Sequence, residues 1–251
     1  MSLDATPLAN KTAVVLGGTG GIGLAVAQLI AEAGAAVAVV ASRDLTKAQR
    51  LAVSLVGKGH HGYASRIENA GELAALAQAV QINMGGADIL VNCAGFTRGV
   101  PHSDLDAMDD ETFDRILTVN TRAAFSVIRA FAPQLRVRGD GLVVQLSSIA
   151  ATTAVGSCVA YCAAKAGMDV MGMALARVLA PEIRVLSVSP GVVDTDFVPG
   201  RDHGAREKTA ATTPLKRLCT PQDVAATVLA CATTLKFSTG SVIQVDGGRH
   251  L

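Results

Sequence analysis

The chain has 251 residues and a formal net charge of +1, from 22 basic and 21 acidic residues with no basic run, which excludes a charge-driven nucleic-acid or membrane surface. Half the residues are hydrophobic but only 3% are aromatic and none is Trp. The core must therefore be built from Ala, Val, Leu and Ile, the mix of buried parallel strands and small-residue helix contacts.

Lys11–Leu16 is a short apolar run ending in glycines and reads as a buried strand. Helical apolar spacing follows from Ile22 to Ala33 and stops at Gly34. Val37–Val40 is a second strand and Leu45–Leu55 a second helix. His60–Ala64 is a third strand, Ala70–Met84 a helix and Asp88–Asn92 a fourth strand. Further strands are expected at Gly141–Ser147, Ile183–Val188 and Ser241–Val245. Strands of four to six residues alternating with helices predict an α/β fold, a doubly wound parallel sheet covered on both faces. No linker or repeat divides it, so residues 1–251 are expected to form one domain.

Gly17-Gly18-Thr19-Gly20-Gly21-Ile22-Gly23 lies between the first strand and first helix, and from Gly18 it satisfies G-x-G-x-x-G. Glycines there permit a tight turn and let backbone N–H groups approach a pyrophosphate at a helix amino terminus. No Lys follows, which disfavours a P-loop. Where a ribose-binding acid is usual, about 20 residues on, the chain has Ala41, then Ser42 and Arg43. A missing carboxylate and a nearby guanidinium favour NADP(H) modestly over NAD(H).

Tyr161 and Lys165 are four residues apart in an Ala-rich stretch, so phenol and ammonium share one helix face. A neighbouring ammonium stabilises the phenolate, as a general acid/base requires.

With these motifs the chain resembles the short-chain dehydrogenase/reductase family in its compact single-domain form, close to 3-oxoacyl-carrier-protein reductases. Leu16–Gly23 matches the family's T-G-x-x-x-G-x-G with Leu16 in place of Thr. Asn92-Cys93-Ala94-Gly95 matches N-N-A-G with Cys93 in place of Asn, and Ser65 stands where an adenine-contacting Asp is usual. The resemblance implies a catalytic set of Asn120, Ser148, Tyr161 and Lys165, with Ser148 preferred to Ser147 on spacing. It implies cofactor contacts at Gly17, Thr19, Gly20, Gly21, Ile22, Gly23, Ser42, Arg43, Asn92, Ala94, Gly95, Tyr161, Lys165, Pro190, Gly191, Val193 and Thr195. Asn120 is expected to hold a water that links Lys165 to solvent. Val245-Asp246-Gly247-Gly248 matches the family's V-D-G-G. The implied activity is hydride transfer between a nicotinamide cofactor and a carbonyl or secondary alcohol. A non-catalytic nicotinamide-binding regulator is the alternative from another class, and a nucleotide-sugar epimerase or dehydratase is a second enzyme alternative.

The substrate is expected to enter between Phe96, residues 149–158 and a variable loop at about 192–213, where Pro199-Gly200 suggests a mobile lid. The resemblance also implies a homo-oligomer, dimer or tetramer, packed through faces at 163–178 and 225–235. Met1–Asn10 lacks the pattern of a secretion signal, and no uninterrupted apolar run spans a bilayer, so a soluble cytoplasmic protein is expected. Five cysteines in no disulfide pattern read as reduced thiols, Cys158 and Cys162 as core residues. His60, His61, His102, His203 and His250 show no metal spacing and read as surface residues.

Overall fold

The computed structural model describes residues 6–198 and 203–251. Seven strands, β1 (Thr12–Leu16), β2 (Ala36–Ala41), β3 (His61–Ala64), β4 (Ile89–Asn92), β5 (Gly141–Leu146), β6 (Ile183–Pro190) and β7 (Val242–Val245), form one sheet in the order β3-β2-β1-β4-β5-β6-β7. Every pairing is parallel. All side chains of β1, β4 and β5 are buried, which is why these strands read as continuous apolar runs rather than alternating ones.

The helices are α1 (Gly21–Glu32), α2 (Leu45–Ser54), α3 (Ala70–Met84), α4 (Asp110–Leu117), α5 (Ala123–Arg138), α6 (Ala150–Thr153), α7 (Val159–Leu179), α8 (His203–Thr212) and α9 (Pro221–Thr233). One apolar cluster packs α1, α2 and α9 on one face of the sheet, and a second packs α3 and α5 on the other. Local chemistry sets several boundaries. The Asn69 side chain accepts from the Gly71 and Glu72 amides to start α3, and Gly85, at φ 77°, ends it. Thr220 and Asp223 form a capping box at α9, with Pro221 in the first turn.

Strand order reverses between β1 and β4, which opens a crevice at their carboxy ends. The structure adds detail to three expectations. The segment at 192–213 contains α8 rather than a plain loop, and Pro199-Gly200 lies outside the described residues. By length and mean apolarity α7 reaches membrane-crossing dimensions, although Lys165, Asp169 and Arg177 interrupt it and it packs against β6 in the core. His60 is partly buried, and its Nδ1 accepts from the Val37 amide at 3.0 Å, closing the start of β2. His250 pairs with Asp246 at 2.7 Å.

Candidate active site

The glycine loop forms one wall of the crevice. Gly17 sits at φ +72°, and a Cβ there would lie 3.0 Å from the backbone of Cys93 and Ala94, so the loops after β1 and β4 touch through bare backbone. A Cβ on Gly23 would fall 2.1 Å from the Gly17 carbonyl oxygen. Gly20 faces open space, with nothing within 4 Å of a Cβ position. Gly23→Ala is expected to cost about 1–3 kcal/mol through overpacking, read as a lower midpoint in denaturant unfolding. A midpoint within error of wild type would refute the close packing of α1 on this loop.

Further along the crevice, Ser42 and Arg43 are exposed beyond the end of β2. Asp44, adjacent to Arg43, spends its carboxylate on the Lys47 amide as the cap of α2. Among the described residues, no carboxylate lies within ion-pair distance of Arg43. Ser65, just past β3, is buried and its hydroxyl has no hydrogen-bond partner. Asn92 is also buried: its Nδ2 donates to Gln145 Oε1 at 3.0 Å, while its Oδ1 has no partner. It braces β4 against β5 from beneath the crevice and lies outside the cavity lining.

The crevice opens into a cavity of about 580 Å³. Ile22, Ala94, Gly95, Ser148, Tyr161, Lys165, Pro190, Gly191, Val193 and Thr195 all line it, so most of the sequence-predicted site converges there. Thr195 lies against the glycine loop, its Cγ2 3.3 Å from where a Gly21 Cβ would be. Val155 and Phe197 also line the cavity, as expected, but Phe96 does not. Phe96 packs with Phe113 and Leu117 in a third cluster, under the Arg115 guanidinium 4.1 Å from its ring centroid. Cation–π contact and apolar burial hold that ring away from the opening.

Tyr161 and Lys165 project from one face of α7, the ammonium 5.6 Å from the phenol ring centroid. The Tyr161 ring meets Phe197 at 6.1 Å between centroids. Lys165 is buried, donates to the Leu146 carbonyl at 2.5 Å, and has its pKa lowered to about 8 by burial, against the opposing pull of Asp169. The two serines diverge. Ser147 donates to Asp169 Oδ2 at 2.8 Å, whereas the Ser148 hydroxyl accepts only from the nearby Ala150 amide at 3.2 Å.

Asn120 is fully buried in a π-helical turn, Thr118–Arg122, between α4 and α5. Its amide donates to the carbonyls of Phe96 at 2.6 Å and Ile116 at 2.9 Å, and its Oδ1 accepts from the Phe96 amide at 3.4 Å. Those bonds occupy the Asn120 side chain, and Asn120 is not among the residues that line the cavity. A π turn commonly marks a functional site, and here it turns Asn120 onto the segment after β4.

Sequence reading missed Asp169. It continues the Tyr161–Lys165 stripe by one more turn, so the same four-residue spacing could have found it. Asp169 is buried, its Oδ1 has no partner, and burial raises its pKa against hydrogen bonds from Ser147 and Ser187 and the Lys165 charge. Cys93 lines the cavity, its thiol pushed up to about 12 by burial, so it sits there as a neutral thiol.

A family model described as enoyl-(acyl carrier protein) reductase matches residues 17–250. The chain belongs to the short-chain dehydrogenase/reductase family. A Streptomyces violaceoruber protein bearing the name of a granaticin polyketide synthase ketoacyl reductase is 34% identical over 95% of this chain and 96% of its own. A 3-oxoacyl-[acyl-carrier-protein] reductase of Vibrio cholerae is 31% identical over 97% of this chain and 99% of its own. A solved structure from Burkholderia xenovorans, described as a short-chain dehydrogenase/reductase, aligns with TM-score 0.88 at 31% identity, covering 95% and 97% of the two chains. Within this family pattern Leu16 has a physical reading: it is fully buried in the core, filling space where a hydroxyl would need a partner.

Proposed function

We propose that the protein is a nicotinamide-dependent oxidoreductase acting on a carbonyl or secondary alcohol, with Tyr161 as general acid/base. The observation that carries this reading is the meeting of Tyr161, Lys165 and Ser148 at one cavity, with the glycine loop on its wall. The residues present fit a dinucleotide. The glycine loop leaves open space at Gly20, just before the amino terminus of α1, and the buried, unpartnered Ser65 hydroxyl is available for an adenine. Ser42 and Arg43 would hold the ribose end, Ala94, Gly95, Pro190, Gly191, Val193 and Thr195 the nicotinamide end. When bound, the nicotinamide supplies or accepts the hydride.

The chain's own groups do the rest. In reduction, Ser148 donates to the substrate oxygen as charge develops on it, and the Tyr161 hydroxyl passes its proton to that oxygen. Lys165 holds positive charge beside the phenol. Asn120 acts as a positioning residue, fixing the backbone that follows Gly95. Residues 192–198 and α8, which contribute lining at Val192, Phe197, Val198, Thr209 and Thr212, would bound the substrate. Val170, Met173 and Val178 are exposed on α7, a face that a second copy of the chain would cover.

The test is turnover followed by nicotinamide absorbance, with NADPH and NADH against ketones, acyl thioesters and sugars. Consumption with at least one carbonyl supports the reading. Tight cofactor binding without turnover on any of them favours the alternative, a nicotinamide-binding regulator. Arg43→Ala is expected to raise KM for NADPH about tenfold and leave KM for NADH unchanged, since one charge-assisted bond to a 2′-phosphate is lost. Equal effects on both cofactors would remove Arg43 from that role.

A further inference from the structure

Among the described residues, the charges on the cavity wall are all of one sign: Lys165 and Arg249 are ionised, and no described Asp or Glu lines it. Lys165 is committed to the Leu146 carbonyl and lies beside Tyr161. Arg249 reaches the cavity from beyond β7, next to Thr209 and Thr212 of α8, which also line it.

Arg249 is held in place from one side. Its Nη1 donates to the Thr209 carbonyl at 3.3 Å, the Thr212 hydroxyl at 3.0 Å and the Thr213 hydroxyl at 3.4 Å. These partners are neutral. Among the described residues, Nη2 and Nε bond to none, and no carboxylate lies within ion-pair distance. Described acids on the neighbouring segments are engaged elsewhere. Asp246 is bound by His250 and the Gly248 amide, and Asp194 and Asp196 both pair with Arg206. A fixed guanidinium with a free edge and no internal counter-charge is the arrangement that receives a carboxylate or phosphate in two parallel bonds.

We propose that Arg249 recognises an anionic oxygen group, a carboxylate or a phosphate, on the substrate. The cavity would then take oxo acids or phosphorylated ketones, and the matching hydroxy compounds, ahead of neutral molecules of similar size. Val155, Phe197 and Val198 supply apolar wall for the carbon chain between the reacting carbonyl and that anion. The identity of the reacting group rests on the oxidoreductase reading above; the anion site rests on Arg249 alone.

The experiment compares matched pairs differing only in charge: levulinate with methyl levulinate, and dihydroxyacetone phosphate with dihydroxyacetone. The readout is the charged-to-neutral ratio of kcat/KM in wild type, Arg249→Gln and Arg249→Lys. Using the ratio cancels any loosening of α8 that loss of the threonine contacts causes. A wild-type ratio of about 10 to 100 in either pair is expected, the range for a charge-assisted hydrogen bond. It should fall near one in Arg249→Gln and survive in part in Arg249→Lys, and the pair that shows it distinguishes carboxylate from phosphate. A ratio near one in both wild-type pairs, or a ratio unchanged in Arg249→Gln, overturns the proposal. If no carbonyl is turned over, the hydride reading fails, and calorimetric titration of levulinate and dihydroxyacetone phosphate still decides the anion site. Binding to wild type that is lost in Arg249→Gln supports it; equal binding, or none, overturns it.

Discussion

Tyr161→Phe is expected to lower kcat about a hundred- to ten-thousand-fold, the contribution of a positioned proton donor, while leaving cofactor affinity within a few-fold. The substitution removes one oxygen and keeps the ring, which packs against Phe197 in a cluster with Ala150, Ala160 and Ala164. Folding should therefore survive, and thermal unfolding of the variant provides the control. The informative comparison is kcat against the equilibrium Kd for the cofactor. An interaction made only in the transition state changes the first and spares the second. A variant that keeps full turnover would remove Tyr161 as the acid/base and transfer attention to Ser148, whose hydroxyl also lines the cavity. A variant that loses cofactor binding as well would mean that the phenol mainly shapes the crevice.

Much of the fold was legible because buried parallel strands and amphipathic helices follow from composition and period. α3 falls at Ala70–Met84 as read, between an Asn cap and a left-handed Gly. β6 runs two residues further than expected, to Pro190, because Ser189 and Pro190 still pair with Gln244 and Val245 of β7. The site was legible where its residues repeat a spacing, as Tyr161 and Lys165 do. It was not legible where a polar side chain could turn two ways. The contact of the Asn120 side chain with the segment after β4 depends on the π-helical turn, which sets its direction and has no marker in Thr118–Arg122. Phe96 was misplaced for a related reason: an aromatic beside a site motif suggests a pocket wall, but Arg115, nineteen residues away, draws its ring elsewhere. Arg249 lies at the far end of the chain and joins the cavity only through the course of β7 and α8.

Lys165 should give the activity an alkaline limit near pH 8, since burial lowers its pKa from 10.5 to about 8. The sign follows from which form works. On the proposed mechanism the ammonium stabilises negative charge on the Tyr161 oxygen as the proton leaves, so activity is expected below the Lys165 pKa and should decline as pH rises through it. Lys165→Met, of similar length and uncharged, is expected to lower kcat about a hundred- to thousand-fold, the usual cost of deleting one electrostatic group at a reaction centre. The buried Asp169 then acts as a positioning residue. Its charge raises the Lys165 pKa, and its Oδ2 holds Ser147, the neighbour of Ser148. Asp169→Asn keeps the shape of the side chain but removes the charge, so the alkaline limb should move to lower pH. The hydroxyls of Ser147 and Ser187 are unaltered by the change. A merely structural aspartate would depress activity evenly across pH, because loss of packing carries no proton. The pH profiles of kcat for wild type and Asp169→Asn therefore separate the two roles: superimposable limbs would leave Asp169 as a strut for Ser147, and a displaced limb would make it the counter-charge that keeps Lys165 ionised in a buried site.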